Sequence, residues 1–141
     1  MTLGLNHITF AVREISRSVV FYEHVIGCSK VAVWDEGAYL RAGEAWLCLS
    51  RDLAAAADSR GDYTHTAFTF DAAGLAGFRE RLRAAGGIEW KQNSSEGDSV
   101  YFLDPDGHRL EAHVGDLASR LASLHAAPYA GLVIHEPGAW Q

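Results

Sequence analysis

The chain has 141 residues, of which 48% are hydrophobic, and a formal net charge of −6 at pH 7. This length and composition fit a single domain over residues 1–141, and the acidic balance argues against nucleic acid as the main partner. No apolar run approaches the roughly 20 residues of a membrane span. Since no signal peptide is visible and Cys28 and Cys48 form no disulfide framework, we expect a cytoplasmic protein.

The first part of the sequence predicts a strand, a helix and then three more strands. Residues 5–12, LNHITFAV, alternate, with His7 and Thr9 on one face and apolar side chains on the other. Ser16 is the expected N-cap of the helix, and Gly27 is its expected end. The three later strands are predicted near residues 31–34, 38–41 and 46–50.

The same order of elements recurs in the second half of the chain. Residues 63–70, YTHTAFTF, place His65 where the earlier strand has His7, and Asp71 is the expected N-cap of the next helix. Strands are predicted over residues 88–90, 99–103 and 108–114, and the last two are joined by the turn Asp104-Pro105-Asp106-Gly107.

Two βαβββ repeats, at about residues 3–52 and 61–115, therefore predict an α+β fold of paired modules. A C-terminal helix and tail occupy residues 116–141, with Leu117, Leu121 and Leu124 as the expected buried positions of the helix. Such repeats usually pack around a pseudo-twofold axis.

Strand alternation assigns an unusually polar set of side chains to one face of the sheet. We expect a single concave surface, on which these polar groups need hydrogen-bond partners or a ligand. The set comprises His7, Thr9, Tyr39, Trp46, Ser50, His65, Ser99, Tyr101 and Glu111.

Within that set, two imidazoles and one carboxylate suggest a metal site. A pseudo-twofold axis would bring His7 and His65 together, and Glu111 would be the third ligand to a divalent ion, leaving positions open for substrate. The competing interpretation is that the histidines are hydrogen-bonded structural residues. His113, which shares the face of Glu111, is the alternative ligand.

Residues 91–99, KQNSSEGDS, form a polar connection between two strands. Composition alone favours a solvated loop, but the loop leads directly to the strand that carries Ser99 and Tyr101. Together with Lys91 and Ser95, these side chains suit a phosphate-like group. Arg120, on the C-terminal helix, is either a further oxyanion contact or an exposed charge.

Several segments resemble the fosfomycin-resistance glutathione transferases of the vicinal oxygen chelate superfamily. The resemblance extends from about residue 3 to about residue 132, and its most specific part is the segment 90–117. The segments are NHITFAV, WDEGAYL, WLCLS, YTH, WKQNSSEGDSVYFLDPDGHRLEAHVGDL and APYAGL.

The resemblance implies that the paired modules form a cupped mixed sheet and that two chains form a homodimer with active sites between them. It implies Mn(II), or another divalent ion, held by His7, His65 and Glu111. It also implies a potassium ion, as an activator, in the loop that contains Asn93, Ser95, Glu96 and Gly97.

The activity implied is transfer of glutathione to the epoxide of fosfomycin, with Thr9 beside the epoxide oxygen and Tyr39 helping to ionise the thiol. Two alternatives are a hydratase or another thiol transferase of the superfamily, with Glu44 as the hydratase base, and a non-catalytic module that binds a small anion. The implied phosphonate contacts are Lys91, Ser95, Ser99, Tyr101 and Arg120. The implied glutathione contacts are Trp34, Ser50 and Tyr129.

Overall fold

Each repeat forms its own four-stranded mixed sheet in a computed structural model, which describes residues 1–135. The first repeat comprises β1 (His7–Val12), α1 (Ile15–Val20), a π-helical segment (Phe21–Ile26), β2 (Ser29–Trp34), β3 (Gly37–Ala42) and β4 (Ala45–Arg51). The second comprises β5 (Thr66–Thr69), α2 (Ala72–Ala84), β6 (Glu89–Lys91), β7 (Asp98–Leu103) and β8 (Arg109–Val114), and α3 (Leu117–Ala126) follows. The predicted βαβββ order of both repeats is confirmed.

The two sheets have the orders β1-β4-β3-β2 and β5-β8-β7-β6. In each sheet the first and last strands of the repeat are parallel neighbours, and the other strand pairs are antiparallel. Within one chain, the members of the predicted polar surface are divided between these two sheets. His7, Thr9, Tyr39, Trp46 and Ser50 lie on the first sheet, and Ser99, Tyr101 and Glu111 lie on the second.

The apolar faces of both sheets share one core with the helices. Helix α1 and its π-helical extension reach across to the second sheet, where the ring of Phe21 lies 6.2 Å from that of Phe102. Helix α2 adds Phe78, which is fully buried with its ring 4.8 Å from Phe102. Because burial of apolar surface is the dominant favourable term in folding, this shared core couples the two repeats.

Two of the predicted helix ends are confirmed and one is wrong. The Asp71 side chain accepts a hydrogen bond of 2.6 Å from the backbone N–H of Gly74, and Gly27 ends the π-helical segment at a φ of 98°. Helix α1 begins at Ile15, with Glu14 as its N-cap. Ser16 lies inside the first turn, where its hydroxyl donates to the Glu14 carboxylate and so cannot cap the helix.

Helix α3 is less buried than its apolar spacing predicted. None of its residues is buried, and Leu117 is 67% exposed. The helix begins with a capping box between Asp116 and Ser119, and Arg120 forms an ion pair with Glu96. These polar contacts turn one side of the helix toward the loop of residues 93–97 and leave Leu117 outside. Over residues 1–135, no helix combines the length and apolarity needed to cross a bilayer.

The turn between β7 and β8 connects the second repeat to helix α1 through hydrogen bonds. Asp106 is completely buried and accepts hydrogen bonds from the Arg13 backbone N–H (2.9 Å), the Arg17 guanidinium (3.1 Å) and the Ser18 hydroxyl (3.3 Å). The turn was predicted from local chemistry alone. Its carboxylates also make contacts between the repeats.

Asp106→Ala should lower the free energy of unfolding by about 2–4 kcal/mol, because it leaves buried donors unpaired. Urea unfolding monitored by circular dichroism measures the change. Asp98→Ala is the control, since Asp98 forms an exposed pair with Arg79 that is worth at most about 1 kcal/mol. Equal losses in the two variants would contradict a fastening role for Asp106.

Candidate functional site

A row of aromatic side chains crosses the face of the first sheet that points away from the core. The His7 and Trp46 rings stack at 4.3 Å, Trp46 meets Tyr39 edge-on at 5.0 Å, and Tyr39 meets Trp34 at 4.8 Å. Trp34 and Tyr39 are about two-fifths exposed. This face is therefore aromatic and open to solvent, and it resembles a binding surface rather than part of the core.

The other residues predicted for the first sheet also lie in the open. Thr9 is exposed on β1, and Ser50 is exposed on β4. Tyr129, expected to line the same surface, is 63% exposed and follows the end of α3. The structure thus gathers Trp34, Tyr39 and Trp46 into one row. Tyr129 is not on the first sheet, since it follows α3 at the C-terminal end of the chain.

The second sheet carries a buried carboxylate at its centre. Glu111 is 6% exposed, and its two oxygens contact different partners. Oε1 accepts a hydrogen bond of 2.7 Å from the Ser99 hydroxyl, and Oε2 lies 3.1 Å from His65 Nε2. Glu111 therefore sits in an arrangement that supports its charge, as a buried carboxylate requires.

Both predicted metal-binding histidines have the hydrogen-bonding pattern of a ligand. His65 Nδ1 lies 2.8 Å from the Tyr63 carbonyl, and His7 Nδ1 lies 2.6 Å from the Asn6 side-chain oxygen. Since both oxygens are acceptors, each Nδ1 donates a hydrogen, and Nε2 is the atom that each imidazole can offer to a metal. His65 Nε2 lies 3.1 Å from Glu111 Oε2, so two potential metal-binding atoms are adjacent. This donor set fits a divalent metal.

The three predicted ligands do not meet within one chain. Among residues 1–135, no group of three or more His, Cys, Asp or Glu side chains is arranged to hold a metal. Within one chain, His7 lies on the first sheet, and His65 immediately precedes the first strand of the second. Strands β1 and β5 are edge strands of different sheets, and each bonds to the last strand of its own repeat. The structure brings together only His65 and Glu111.

A lysine held by aromatic rings lies beside this pair. Lys91 Nζ donates a hydrogen bond to the Tyr63 hydroxyl and lies 4.6 Å from the centre of the Tyr63 ring and 4.8 Å from that of Tyr101. The hydrogen bond to Tyr63 raises the pKa of Lys91, which keeps the ammonium charged. Tyr63 was missed from the sequence, although its position two residues before His65 places it on the same side of the chain.

Arg120 forms an ion pair with Glu96 and is therefore more than an exposed charge on α3. Its Nε donates to Glu96 Oε2 over 2.9 Å, which raises the pKa of Arg120 and lowers that of Glu96. Both groups are therefore ionised at neutral pH. The pairing between the loop and α3 could not be read from either segment alone.

The polar loop is closed by its own side chains. Asn93 donates to the Gly97 carbonyl over 2.8 Å and accepts from the backbone N–H and the hydroxyl of Ser95. Gly97 has a φ of +76°, a conformation that favours glycine. The loop is therefore more ordered than the solvated connection that its composition favours.

A cavity of about 420 Å³ lies at the end of the aromatic row. Glu44, from the turn between β3 and β4, shares its lining with Tyr39, Arg41 and Trp46. A carboxylate thus stands near the tyrosine to which the family resemblance gives a role in thiol ionisation.

Comparisons with known proteins show the family of the chain. Residues 4–112 match the model of the Glyoxalase/Bleomycin resistance protein/Dioxygenase superfamily. The chain is 49% identical to glutathione transferase FosA of Serratia marcescens, covering 94% of this chain and 96% of that protein. It is 39% identical to metallothiol transferase FosB of Shouchella clausii, covering 86% and 87% of the two chains.

Solved structures of FosX, described as a fosfomycin resistance protein, share the fold. FosX from Mesorhizobium loti has a TM-score of 0.73 at 30% identity, covering 86% of this chain and 99% of that one. A FosX mutant from Listeria monocytogenes, complexed with Mn(II) and dihydroxypropylphosphonic acid, has a TM-score of 0.77 at 27% identity, covering 89% and 100%. With these likenesses over nearly its whole length, the chain belongs to the Glyoxalase/Bleomycin resistance protein/Dioxygenase superfamily and, within it, to the fosfomycin-resistance transferases.

Proposed function

We propose that this chain transfers glutathione to the epoxide of fosfomycin and thereby inactivates the antibiotic. The observation that carries the proposal is the placement of Lys91 beside the His65–Glu111 pair, which puts an anion-binding cation next to a metal-binding donor set. An epoxide that bears a phosphonate needs both. The identity with glutathione transferase FosA favours glutathione as the second substrate.

The metal site of the proposal consists of His7, His65 and Glu111, with Mn(II) as the ion. Support comes from the matching hydrogen-bond patterns of the two histidines and from the Mn(II) complex of the structurally similar FosX. Such an ion acts as a Lewis acid that stabilises negative charge on the epoxide oxygen as the ring opens.

We place this metal site between two chains, so that the active unit is a homodimer. One chain supplies His7, and the other supplies His65 and Glu111. The separation of these residues within one chain supports this arrangement, as does the open aromatic face of the first sheet. Twofold symmetry would then create two identical sites.

The remaining residues position the phosphonate and the epoxide. Lys91 and Arg120 supply positive charge, and hydroxyl donors neighbour them on the second sheet and its loop. Thr9, from the other chain, would lie beside the epoxide oxygen. Correct placement of two substrates can lower a barrier by several kcal/mol. The proposed phosphonate contacts are Lys91, Ser95, Ser99, Tyr101 and Arg120.

The loop of residues 93–97 is proposed to hold potassium. The support is its closed shape, which gathers the Asn93 side chain and the Gly97 carbonyl. The Glu96 carboxylate is bound to Arg120, so Glu96 would contribute its backbone oxygen instead. Turnover that is equal in potassium and in choline salts would reject this part of the proposal.

Tyr39 is proposed to assist ionisation of the glutathione thiol, since the thiolate is the attacking form and an ordinary thiol has a pKa of about 8.5. Trp34, Ser50 and Tyr129 would line the glutathione surface. Tyr39→Phe keeps the ring and its contacts and removes only the hydroxyl.

We expect Tyr39→Phe to lower kcat/KM for glutathione by about 10- to 100-fold, with fosfomycin binding within about twofold of the original. Steady-state kinetics and calorimetric titration measure the two quantities. An unchanged urea midpoint of Tyr39→Phe is the control for packing. Parallel losses of fosfomycin binding and thiol attack would assign Tyr39 a packing role.

The direct test is mass spectrometry after incubation of the protein with fosfomycin, glutathione, Mn(II) and potassium. A glutathione adduct is expected, and its absence across several divalent ions would reject the proposal. Stoichiometric protection of fosfomycin without turnover would indicate an anion-binding module instead.

A second candidate function is hydration of the epoxide. It is favoured by Glu44, whose carboxylate lines the cavity beside Tyr39 and Trp46, and by the structural likeness to FosX. Formation of a diol from fosfomycin and water without glutathione, lost in Glu44→Gln, would support this candidate.

A further inference from the structure

His113 is a closely packed side chain on the polar face of the second sheet, and the proposed reaction leaves it without a role. It lies two residues after Glu111 on β8, and its side chain is 14% exposed. A Cβ at Gly97 would lie 2.7 Å from His113 Cε1, and one at Gly115 would lie 2.8 Å from Nε2. Two glycines thus leave room for this imidazole in one orientation.

The ring is aimed at Ser99. The Ser99 hydroxyl oxygen lies 2.7 Å from Glu111 Oε1 and also 2.7 Å from His113 Nδ1. A hydroxyl has a single hydrogen, and a carboxylate only accepts, so Ser99 donates to Glu111. His113 Nδ1 must then carry a hydrogen and donate it to Ser99. The 3.4 Å separation of Nδ1 from Glu111 Oε1 agrees, since a lone pair there would face two oxygens.

We propose that His113 is a positioning residue that makes Ser99 a dedicated donor toward the substrate site. Because His113 Nδ1–H donates to a lone pair of the Ser99 oxygen, the hydroxyl hydrogen of Ser99 points away from the imidazole ring. It serves Glu111 in the free chain and becomes available to an oxyanion when a metal engages Glu111. With the hydrogen on Nε2 instead, Ser99 would donate to His113 and offer an oxyanion only a lone pair.

This assignment rests on the proposed function, because it names how the phosphonate pocket prefers oxyanions. A fully ionised phosphonate or phosphate oxygen accepts hydrogen bonds and cannot donate them. A pocket whose hydroxyl is locked as a donor therefore favours these groups over ligands with hydroxyl or amide donors at the same position.

The test measures binding of inorganic phosphate to the full chain, loaded with Mn(II), by calorimetry. His113→Ala should weaken phosphate binding roughly tenfold, as expected for loss of a hydrogen bond to a charged group. His113→Asn places an amide donor near the Nδ1 position and should remain within about threefold. Unchanged phosphate affinity in His113→Ala would overturn the proposal.

A double-mutant cycle separates positioning from simple packing. If His113 acts through Ser99, then His113→Ala should have no further effect on phosphate affinity in a Ser99→Ala background. A second, additive tenfold loss would overturn the proposal. Urea midpoints of every variant report whether a loss reflects the fold instead.

The unsubstituted protein offers a third readout that needs neither folding of a variant nor turnover. In ¹⁵N-histidine NMR spectra of the metal-free chain, His113 should show the hydrogen on Nδ1, and a hydrogen confined to Nε2 would overturn the assignment. Because phosphate binding and the NMR signature do not require fosfomycin to react, failure of the adduct assay leaves this test intact.

Discussion

Glu111→Gln should lower kcat/KM for the reaction of glutathione with fosfomycin by about 1000-fold or more. Glutamine preserves the volume of the side chain and an acceptor for Ser99, but it removes the charge that binds the metal. Loss of a residue that merely supports a metal ligand already costs about 10- to 100-fold in metal affinity, and a ligand should cost more.

Two measurements check this prediction. Competition with a fluorescent chelator gives the affinity for Mn(II), and steady-state kinetics gives kcat/KM. Glu89→Gln is the matched control, because Glu89 is an exposed carboxylate on β6, an edge strand of the same sheet. Turnover within about threefold of the original enzyme, with an unchanged urea midpoint, would remove Glu111 from the metal site.

Mixing two inactive variants should restore activity if the metal site lies between chains. His7→Ala and Glu111→Gln each destroy both sites of their own homodimer. In a mixed dimer, one site takes intact His7 from the second variant and intact Glu111 from the first, whereas the other site carries both defects.

Random reassociation makes about half of the dimers mixed, so about a quarter of the original activity should return. Differently tagged chains, refolded together and purified through both tags, give the mixed dimer directly, with about half of the original activity per dimer. A chain that carries both substitutions is the control, since its mixture with either single variant should stay inactive. Verified mixed dimers without activity would place all the ligands within one chain.

The sequence predicted the strand faces well because alternation is a local property of the backbone. Glu111, Ser99 and Tyr101 were assigned to one side of their strands, and the structure places all three on the polar face of the second sheet. The glycine and aspartate at the ends of two helices were likewise predictable, since their roles depend on backbone conformation within a few residues.

The errors concern contacts between segments that are distant in the chain. Equivalent positions in two repeats suggested that His7 and His65 meet, but strand alternation could not state that the repeats of one chain form separate sheets, so that the proposed meeting needs a second chain. The expectation that Leu117 is buried failed because apolar spacing does not state whether anything covers the face. The pairing of Arg120 with Glu96 depends on where α3 lies against a loop.

The sequence by itself therefore determined the two βαβββ modules, the side of each strand that carries chemistry, and the residue types suited to a metal and an oxyanion. The tertiary structure decided which of these residues meet. It joined Glu111 to His65, Ser99 and His113, left His7 on another sheet, and set the direction of each hydrogen bond. The physical reason is range: alternation and capping follow from neighbouring residues, whereas strand pairing and burial depend on the whole chain and, for His7, on a second copy of it.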